Sequence, residues 1–526
     1  MRKLSLALIA CFVFSQFLNL PSIAQTPAGG QCSETIFALT TNNALLSFSS
    51  ESPGTIINAN PITGILPGES IVGIDYRPAL GEIFALSNLG RLYIVDSTTG
   101  FARLTNTLFV NLSGSRFGVD FNPVPDRMRI VSDGDQNLRA NVETGVTNVD
   151  GTLAFAAGDP NAGSDPNIVS VAYSNNFAGT AATTLYGIDS NLDTLVIQNP
   201  PNNGTLTTVG SLGINTTELV GFDIAAGSAR AFASLTVSGS STSGLYRINL
   251  LTGAATLVGA IGGGQVIRDL TIAPRRGQTV FAVTTSNRLL TFNSSLPGAI
   301  LSSRRIRGMA DGENILGIDF RPANGKLYGL GSTSRIYVIN PSNAKATPID
   351  AAVPRLSTPF TPALNGINFG FDFNPVPDRI RITSDLDQDL RLNPDTGAVV
   401  SIDGTLAFAT GDANANQNPN VVASAYANNL AGVTTTTLYN IDSNLDALLI
   451  QNPPNNGTLT TVGSLGVDAT EFAGFDIVGC DAIGFAALTL SGESASKLFR
   501  IDLTTGRAVL VGVIGSGELI QDIAIR

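Results

Sequence analysis

SIVGIDYRPALGEIFALSNLGRLYIVDSTTGFARLTNT, residues Ser70–Thr107, reads as four short strands in series. IVGIDYRP is the first, EIFALSN the second, RLYIVD the third and FARLTN the fourth. Each run alternates or is apolar throughout, is rich in β-branched and aromatic residues, and is bounded by Gly, Pro, Asn or Asp. The turn before the fourth strand, DSTTG (Asp96–Gly100), returns as NVETG (Asn141–Gly145), NLLTG (Asn249–Gly253), NPDTG (Asn393–Gly397) and DLTTG (Asp502–Gly506). A terminal Gly supplies the positive φ that such a hairpin requires.

Working outward, this unit recurs with a period of roughly 45–50 residues, and a longer period lies over it. IQNPPNNGTLTTVGSLG at Ile197–Gly213 recurs letter for letter at Ile450–Gly466, and FNPVPDR at Phe121–Arg127 recurs at Phe373–Arg379. The chain therefore divides into two homologous halves, residues 25–276 and 277–526, behind an N-terminal segment, residues 1–24. In the first half the leading strands begin near Ser70, Arg116, Asn167, Glu218 and Val266, which makes five units per half. Repeated four-stranded meanders of this length are the blades of a β-propeller, so the expected class is all-β, with ten blades in two five-blade halves.

The chain opens with an orphan second strand, TIFALTT from Thr35, and closes with an orphan first strand, LIQDIAI from Leu519. Propellers commonly complete one blade from both chain ends, which leaves no sheet edge open. Two closures are compatible with this. One ten-bladed ring joins the two ends, whereas two five-bladed rings need Val266–Ala273 to pair back onto Thr35–Thr41. Cys32 and Cys480 would lie in neighbouring turns of a single ring, where a disulfide would staple the closure, and neither has a Cys counterpart in the other half. That pattern favours the single ring.

Composition excludes several chemistries. The chain has no histidine, so the usual general base, the commonest metal ligand and every Ser-His-Asp or Cys-His arrangement are absent. A net charge of −11 argues against nucleic acid, whose phosphates need basic patches. Arg2 and Lys3, the apolar run Leu4–Leu20 and the small residues Ser22 and Ala24 form an export signal, with cleavage expected after Ala24 and a secreted or periplasmic product. Beyond it no stretch has the ~20 apolar residues of a membrane-spanning helix.

GVDFNPVPDRMRIVSDGDQNLRANVETG (Gly118–Gly145), GTLAFAAGD (Gly151–Asp159) and TTLYGIDSNLDTLVIQNPPNNGTLTTVG (Thr183–Gly210) resemble the signature stretches of the bacterial domain of unknown function 4394 family. Gly370–Gly397 and Thr436–Gly463 do so again, so the resemblance covers two tandem copies. It implies a secreted or surface-associated protein and brings no activity and no catalytic residues.

Three features remain as candidate sites. An Asp recurs in the first strand of eight blades: Asp75, Asp120, Asp223 and Asp269, then Asp319, Asp372, Asp476 and Asp522. Such a ring can hold a cation or supply an acid. A position repeated in so many blades suits a structural need better, as an acceptor for a neighbouring blade's backbone. The turns SDGDQNLR and SDLDQDLR place Asp133, Asp135 and Asn137, and Asp385, Asp387 and Asp389, at alternate positions. That spacing resembles the start of a calcium loop, although Leu138 and Leu390 stand where such a loop needs Gly. The alternative is a polar hairpin tip neutralised by Arg139 or Arg391. PNNGT (Pro201–Thr205 and Pro454–Thr458) is either a binding loop or turn chemistry.

These readings point to an exported, non-enzymatic propeller that binds a protein, glycan or small molecule. The rival is a carboxylate- or calcium-dependent hydrolase or lyase working at the channel mouth.

Overall fold

The computed structural model describes residues 33–180, 182–226, 230–274, 277–349, 358–479 and 483–526. The segment expected to be an export signal, residues 1–24, and Cys32 and Cys480 lie outside them. Ten sheets of four antiparallel strands account for the described residues, and two of these carry a fifth strand. The only helical elements among the described residues are three short 3₁₀ turns, so no helix there is long and apolar enough to cross a membrane.

The strand boundaries follow local chemistry. The unit at Ser70–Thr107 forms strands Ile71–Arg77, Glu82–Ser87, Arg91–Val95 and Ala102–Thr107. All five turn glycines, Gly100, Gly145, Gly253, Gly397 and Gly506, have φ between 71° and 81°. The fifth strands are Ala154–Phe155 and Ala407–Phe408, which pair in parallel with Thr205–Ser211 and Thr458–Ser464. They come from the GTLAF segments and cover an outer edge that a four-strand reading leaves open.

The closure is the main departure from expectation. Strand Ile267–Ile272 pairs with Thr35–Thr40, matching Phe37 with Thr271. Strand Ile520–Ile525 pairs with Thr279–Thr284, not with the N-terminal strand. Each half thus completes its own last sheet, and the preference for a single ten-bladed ring is overturned. In the first half the leading strands Ile71–Arg77, Phe117–Asn122, Ile168–Tyr173, Thr216–Ile224 and Ile267–Ile272 touch one another in cyclic order. Their counterparts Ile315–Phe320, Phe369–Asn374, Val421–Tyr426, Ala469–Ile477 and Ile520–Ile525 do the same.

Side-chain size at the inner strands explains this choice. A Cβ on Gly221 would lie 2.4 Å from the Leu270 nitrogen, and one on Gly118 would lie 2.7 Å from the Val171 nitrogen. Gly474 stands equally close to Asp522. Inner strands packed this tightly belong to a ring of few sheets; ten blades would exceed the usual four to eight and hold them apart. Loop closure decides little by comparison, since each doubling of loop length costs only about 0.6 kcal/mol.

The core lies between successive sheets, not at one centre. Ile36, Phe48, Phe232 and Leu270 fill one such layer, and Phe84, Phe121, Met128 and Ile130 fill another. Edge-to-face aromatic pairs recur between adjacent sheets: Phe37 with Tyr76, Phe84 with Phe121, Phe281 with Phe320 and Tyr328 with Phe373.

Candidate functional site

Side chains alternate along a strand, so residues two apart on an inner strand share a face. The pairing register places Asp75 opposite Phe84, Asp120 opposite Arg129 and Asp223 opposite Phe232, at one level. Thr271 holds that level in the closing strand, opposite Phe37. Asp269 stands two residues away, opposite Leu39, where the other strands carry Gly73, Gly118, Ser170 and Gly221. The eight aspartates therefore do not share one position, as their spacing suggested. Six lie at one level, and Asp269 and Asp522 lie at a second.

Every one accepts a hydrogen bond from the next inner strand's backbone. Asp75 accepts from Phe121 N (2.8 Å), Asp120 from Tyr173 N (3.2 Å), Asp223 from Ile272 N (2.6 Å) and Asp269 from Ile74 N (2.8 Å). In the second half the pairs are Asp319 with Phe373, Asp372 with Tyr426, Asp476 with Ile525 and Asp522 with Ile318. The expected structural role of these residues is realised at each of them.

They also converge. Asp75, Asp120 and Asp223 each bring one carboxylate oxygen within 4.8 Å of the others, as do Asp319, Asp372 and Asp476. Thr271 Oγ1 donates to Asp75 Oδ1 at 2.8 Å and lies 3.2 Å from Asp223 Oδ2. The second half has Ala524 there and no hydroxyl. Burial raises the pKa of all eight, and the charges of neighbouring carboxylates add to it at Asp75, Asp120, Asp269, Asp319, Asp372 and Asp522. Asp223 and Asp476, each with two backbone donors, are pushed up to about 7. Two states satisfy such a cluster: carboxyls that keep their protons at neutral pH, or carboxylates around a hard cation with oxygen ligands.

A shallow depression, with room for about one water molecule, opens where the five inner strands of the first half begin. Val72, Phe117 and Val169 form its apolar wall, and Arg116, Glu218 and Arg268 its charged rim. Arg116 Nε lies 3.4 Å from Glu218 Oε2. Arg268 donates from Nη1 to Ile71 O (3.0 Å) and from Nη2 to Thr41 O (3.4 Å). Burial, and then the charge of Arg116, lowers the pKa of Arg268.

The turn residues singled out by spacing go to different neighbours. Asp133 accepts from Ser115 N and Oγ, and Asp385 from the backbone of Ile367 and Asn368. Asp135 and Asp387 occupy the left-handed region, and each has a buried Oδ1 without a hydrogen-bond partner. Burial, then the charges of Asp165 and Asp189, pushes Asp135 up to about 6. Asn137 accepts from Arg129 Nη1 at 2.7 Å and donates to Gly151 O and Pro201 O. Asp389 pairs with Arg381 and accepts from Gln451 Nε2 at 2.7 Å.

Arg129 and Arg381 were not singled out by sequence reading, yet they are the largest fully buried side chains. Arg129 joins Asn137, Asp150 and Asn202; Arg381 joins Asp389, Asp403 and Asn455. Asn202 and Asn455 belong to the PNNGT loops, so the identity of those loops reflects anchoring on a buried guanidinium as well as turn chemistry. An Arg between apolar strand residues in both copies was the available signal. For the rim, it was the exchange of Arg116 and Arg268 for Asn368 and Gln521 inside otherwise matching inner strands.

A family model described as Domain of unknown function (DUF4394) matches residues 44–271 and again 288–524. No curated protein matches the chain. Among solved structures it is similar to dihydro-heme d1 dehydrogenase NirN in complex with DHE, at 10% identity and TM-score 0.24, over 95% of this chain and 79% of that one. A structural genomics protein of unknown function from Bacteroides thetaiotaomicron VPI-5482 is similar at 12% identity and TM-score 0.23, over 80% and 94%. The Dos1 propeller is similar at 13% identity and TM-score 0.25, over 67% and 90%.

Proposed function

The chain belongs to the domain of unknown function (DUF4394) family, in two tandem copies, and from that premise we propose that it is an exported, non-enzymatic binding protein built from two five-bladed propellers. The burial of the inner-strand carboxylates carries this reading. All eight are at most 4% exposed and are tied to backbone N–H groups, so a substrate at a channel mouth has no access to them. The absence of histidine removes the commonest general base, so any acid–base chemistry would fall to carboxylates, tyrosines or lysines. The partner is a protein, glycan or small molecule met by the loops around a rigid scaffold. Export rests on the basic and apolar residues of Met1–Ala24.

The test pairs two measurements on the mature chain. N-terminal sequencing of the exported product should begin near Gln25. Chromogenic ester, phosphate and glycoside substrates, with and without calcium, should give no turnover above buffer. Reproducible turnover by the purified chain would overturn the non-enzymatic reading.

A further inference from the structure

We propose that a row of four cations on the outer strands of the second half, Arg288, Arg305, Arg307 and Lys345, binds an acidic polysaccharide, and that the first half lacks this site. The inference deepens the binding reading above, and rests on it, by naming the partner as a glycan whose sugars carry carboxylates.

Strand pairing sets the row. Arg288 stands opposite Arg305 in the antiparallel pair formed by Arg288–Asn293 and Leu296–Arg305. Two residues further on, Arg307 forms a parallel bridge with Lys345 of the next sheet. Arg307 N donates to Ala344 O (3.1 Å) and Ala346 N to Arg307 O (2.7 Å). Ile306 is only 2% exposed and packs with Ala344 and Ala346 between the two sheets, so Arg305 and Arg307 on either side of it face solvent. Lys345 is exposed as well. Arg288 is half-buried, and its guanidinium donates to the hydroxyl (2.8 Å) and the carbonyl (3.1 Å) of Ser303. Neighbouring strands lie about 4.8 Å apart, and residues two apart along a strand about 7 Å. One extended ligand therefore spans all four cations. Exposed Arg304, where the first half has Asn60, lies beside them on the same strand.

Nothing in the fold balances this charge. Among the described residues, none of the four cations pairs with a carboxylate within 4.0 Å. Like charges directly opposite one another destabilise a sheet, so the row works against the stability of the strands that carry it.

The first half has the same pairing without the charge. Ala44 stands opposite Pro61, and Thr63 bridges in parallel to Phe101. Charged residues on an outer strand can also discourage edge-to-edge aggregation. The first half does without that protection, since its strand Ser52–Pro61 has no charged residue. Neither the ring nor its edge therefore demands the cations.

The form of the row selects its occupant. Guanidinium donors match the two oxygens of a carboxylate. The cations follow one line along the strand edges, which suits an extended chain better than a planar bilayer. Lys345 replaces the one aromatic position, Phe101, so the row offers no ring on which a nucleic-acid base could stack. A net charge of −11 repels a densely charged polymer or membrane more than a chain with one carboxylate per sugar. The local attraction persists because screening at physiological salt acts over about 8 Å.

Isothermal titration of the mature chain with a galacturonic acid oligomer, against neutral dextran, tests this. Saturable binding at one site per chain is expected, weakening as salt rises, with no heat from dextran. Arg288→Ala, Arg305→Ser, Arg307→Thr and Lys345→Gln together should weaken binding by roughly tenfold or more without lowering the melting temperature. Arg103→Thr removes an exposed cation of the first half where the second half has Thr347, and should leave binding unchanged. The reciprocal Ala44→Arg, Pro61→Arg, Thr63→Arg and Phe101→Lys should raise the stoichiometry to two. No saturable heat, or binding indifferent to the fourfold substitution, would overturn the proposal. So would co-sedimentation with phosphatidylglycerol vesicles that needs the row while the oligomer gives no heat, which would assign the row to a membrane. Each of these results leaves the non-enzymatic reading intact, because that reading fails only on turnover.

Discussion

The Asp269 carboxylate accepts a hydrogen bond from the backbone N–H of Ile74, 195 residues earlier, at 2.8 Å. Its counterpart Asp522 binds Ile318 in the same way. In each half this contact ties the closing inner strand to the first complete sheet, so ring closure and the buried carboxylates are one feature.

Because Ile267–Ile272 completes the sheet begun by Thr35–Thr40, a fragment spanning residues 33–274 has every strand of its half. It should be a soluble monomer with one cooperative melting transition, whereas ending the fragment at residue 265 should leave an open sheet edge that aggregates. Light scattering and calorimetry on the two fragments check this. Aggregation of the longer one would show that the halves do not close separately.

The inner carboxylates make stability depend on pH. Their folded-state pKa values are raised, so between about pH 4 and pH 7 the native state holds protons that the unfolded chain has released. Stability should therefore fall as pH rises through about 7. In chelator, the melting temperature should be lower at pH 8 than at pH 5, and Asp223→Asn with Asp476→Asn should reduce the difference. A melting temperature that is flat or rising over that range would contradict the shifts.

Arg381 is fully buried against Asp389 and Asp403. Arg381→Ala should cost about 3–5 kcal/mol, since it strands a buried charge. Asp389→Asn should cost much less, because Asn137 occupies that position beside Arg129 in the first half. Urea unfolding of both variants gives the comparison; equal losses would mean that the network contributes no more than its packing.

Gly221→Ala puts a methyl 2.4 Å from the Leu270 nitrogen and 2.5 Å from the Asp269 carbonyl carbon, and both are backbone atoms that yield little. A loss at the upper end of the roughly 1–3 kcal/mol typical of overpacking is expected. Gly54→Ala, whose nearest neighbour is the Ala260 oxygen at 3.7 Å, should change stability by no more than about 0.5 kcal/mol. Similar denaturation midpoints for the two variants would remove the steric account of the inner ring.

Strand order and limits were legible in the sequence. The inner strands expected near Ser70, Arg116, Asn167, Glu218 and Val266 begin at Ile71, Phe117, Ile168, Thr216 and Ile267. Alternation and turn chemistry are local, and a few neighbouring residues carry them. The duplication was equally plain, because identity between copies needs no geometry to be seen.

Tertiary structure alone decided the closure, since Val266–Ala273 and Leu519–Ile525 were equally suited in composition to Thr35–Thr41. It also decided that Asp75, Asp120 and Asp223 meet, that Asp269 lies at a second level, that Arg129 reaches Asn202, and that Arg116 and Arg268 share one rim. Each of these depends on the register between distant strands and on the radius of the ring, which are set by how closely the inner backbones pack. No short stretch of the chain contains that distance.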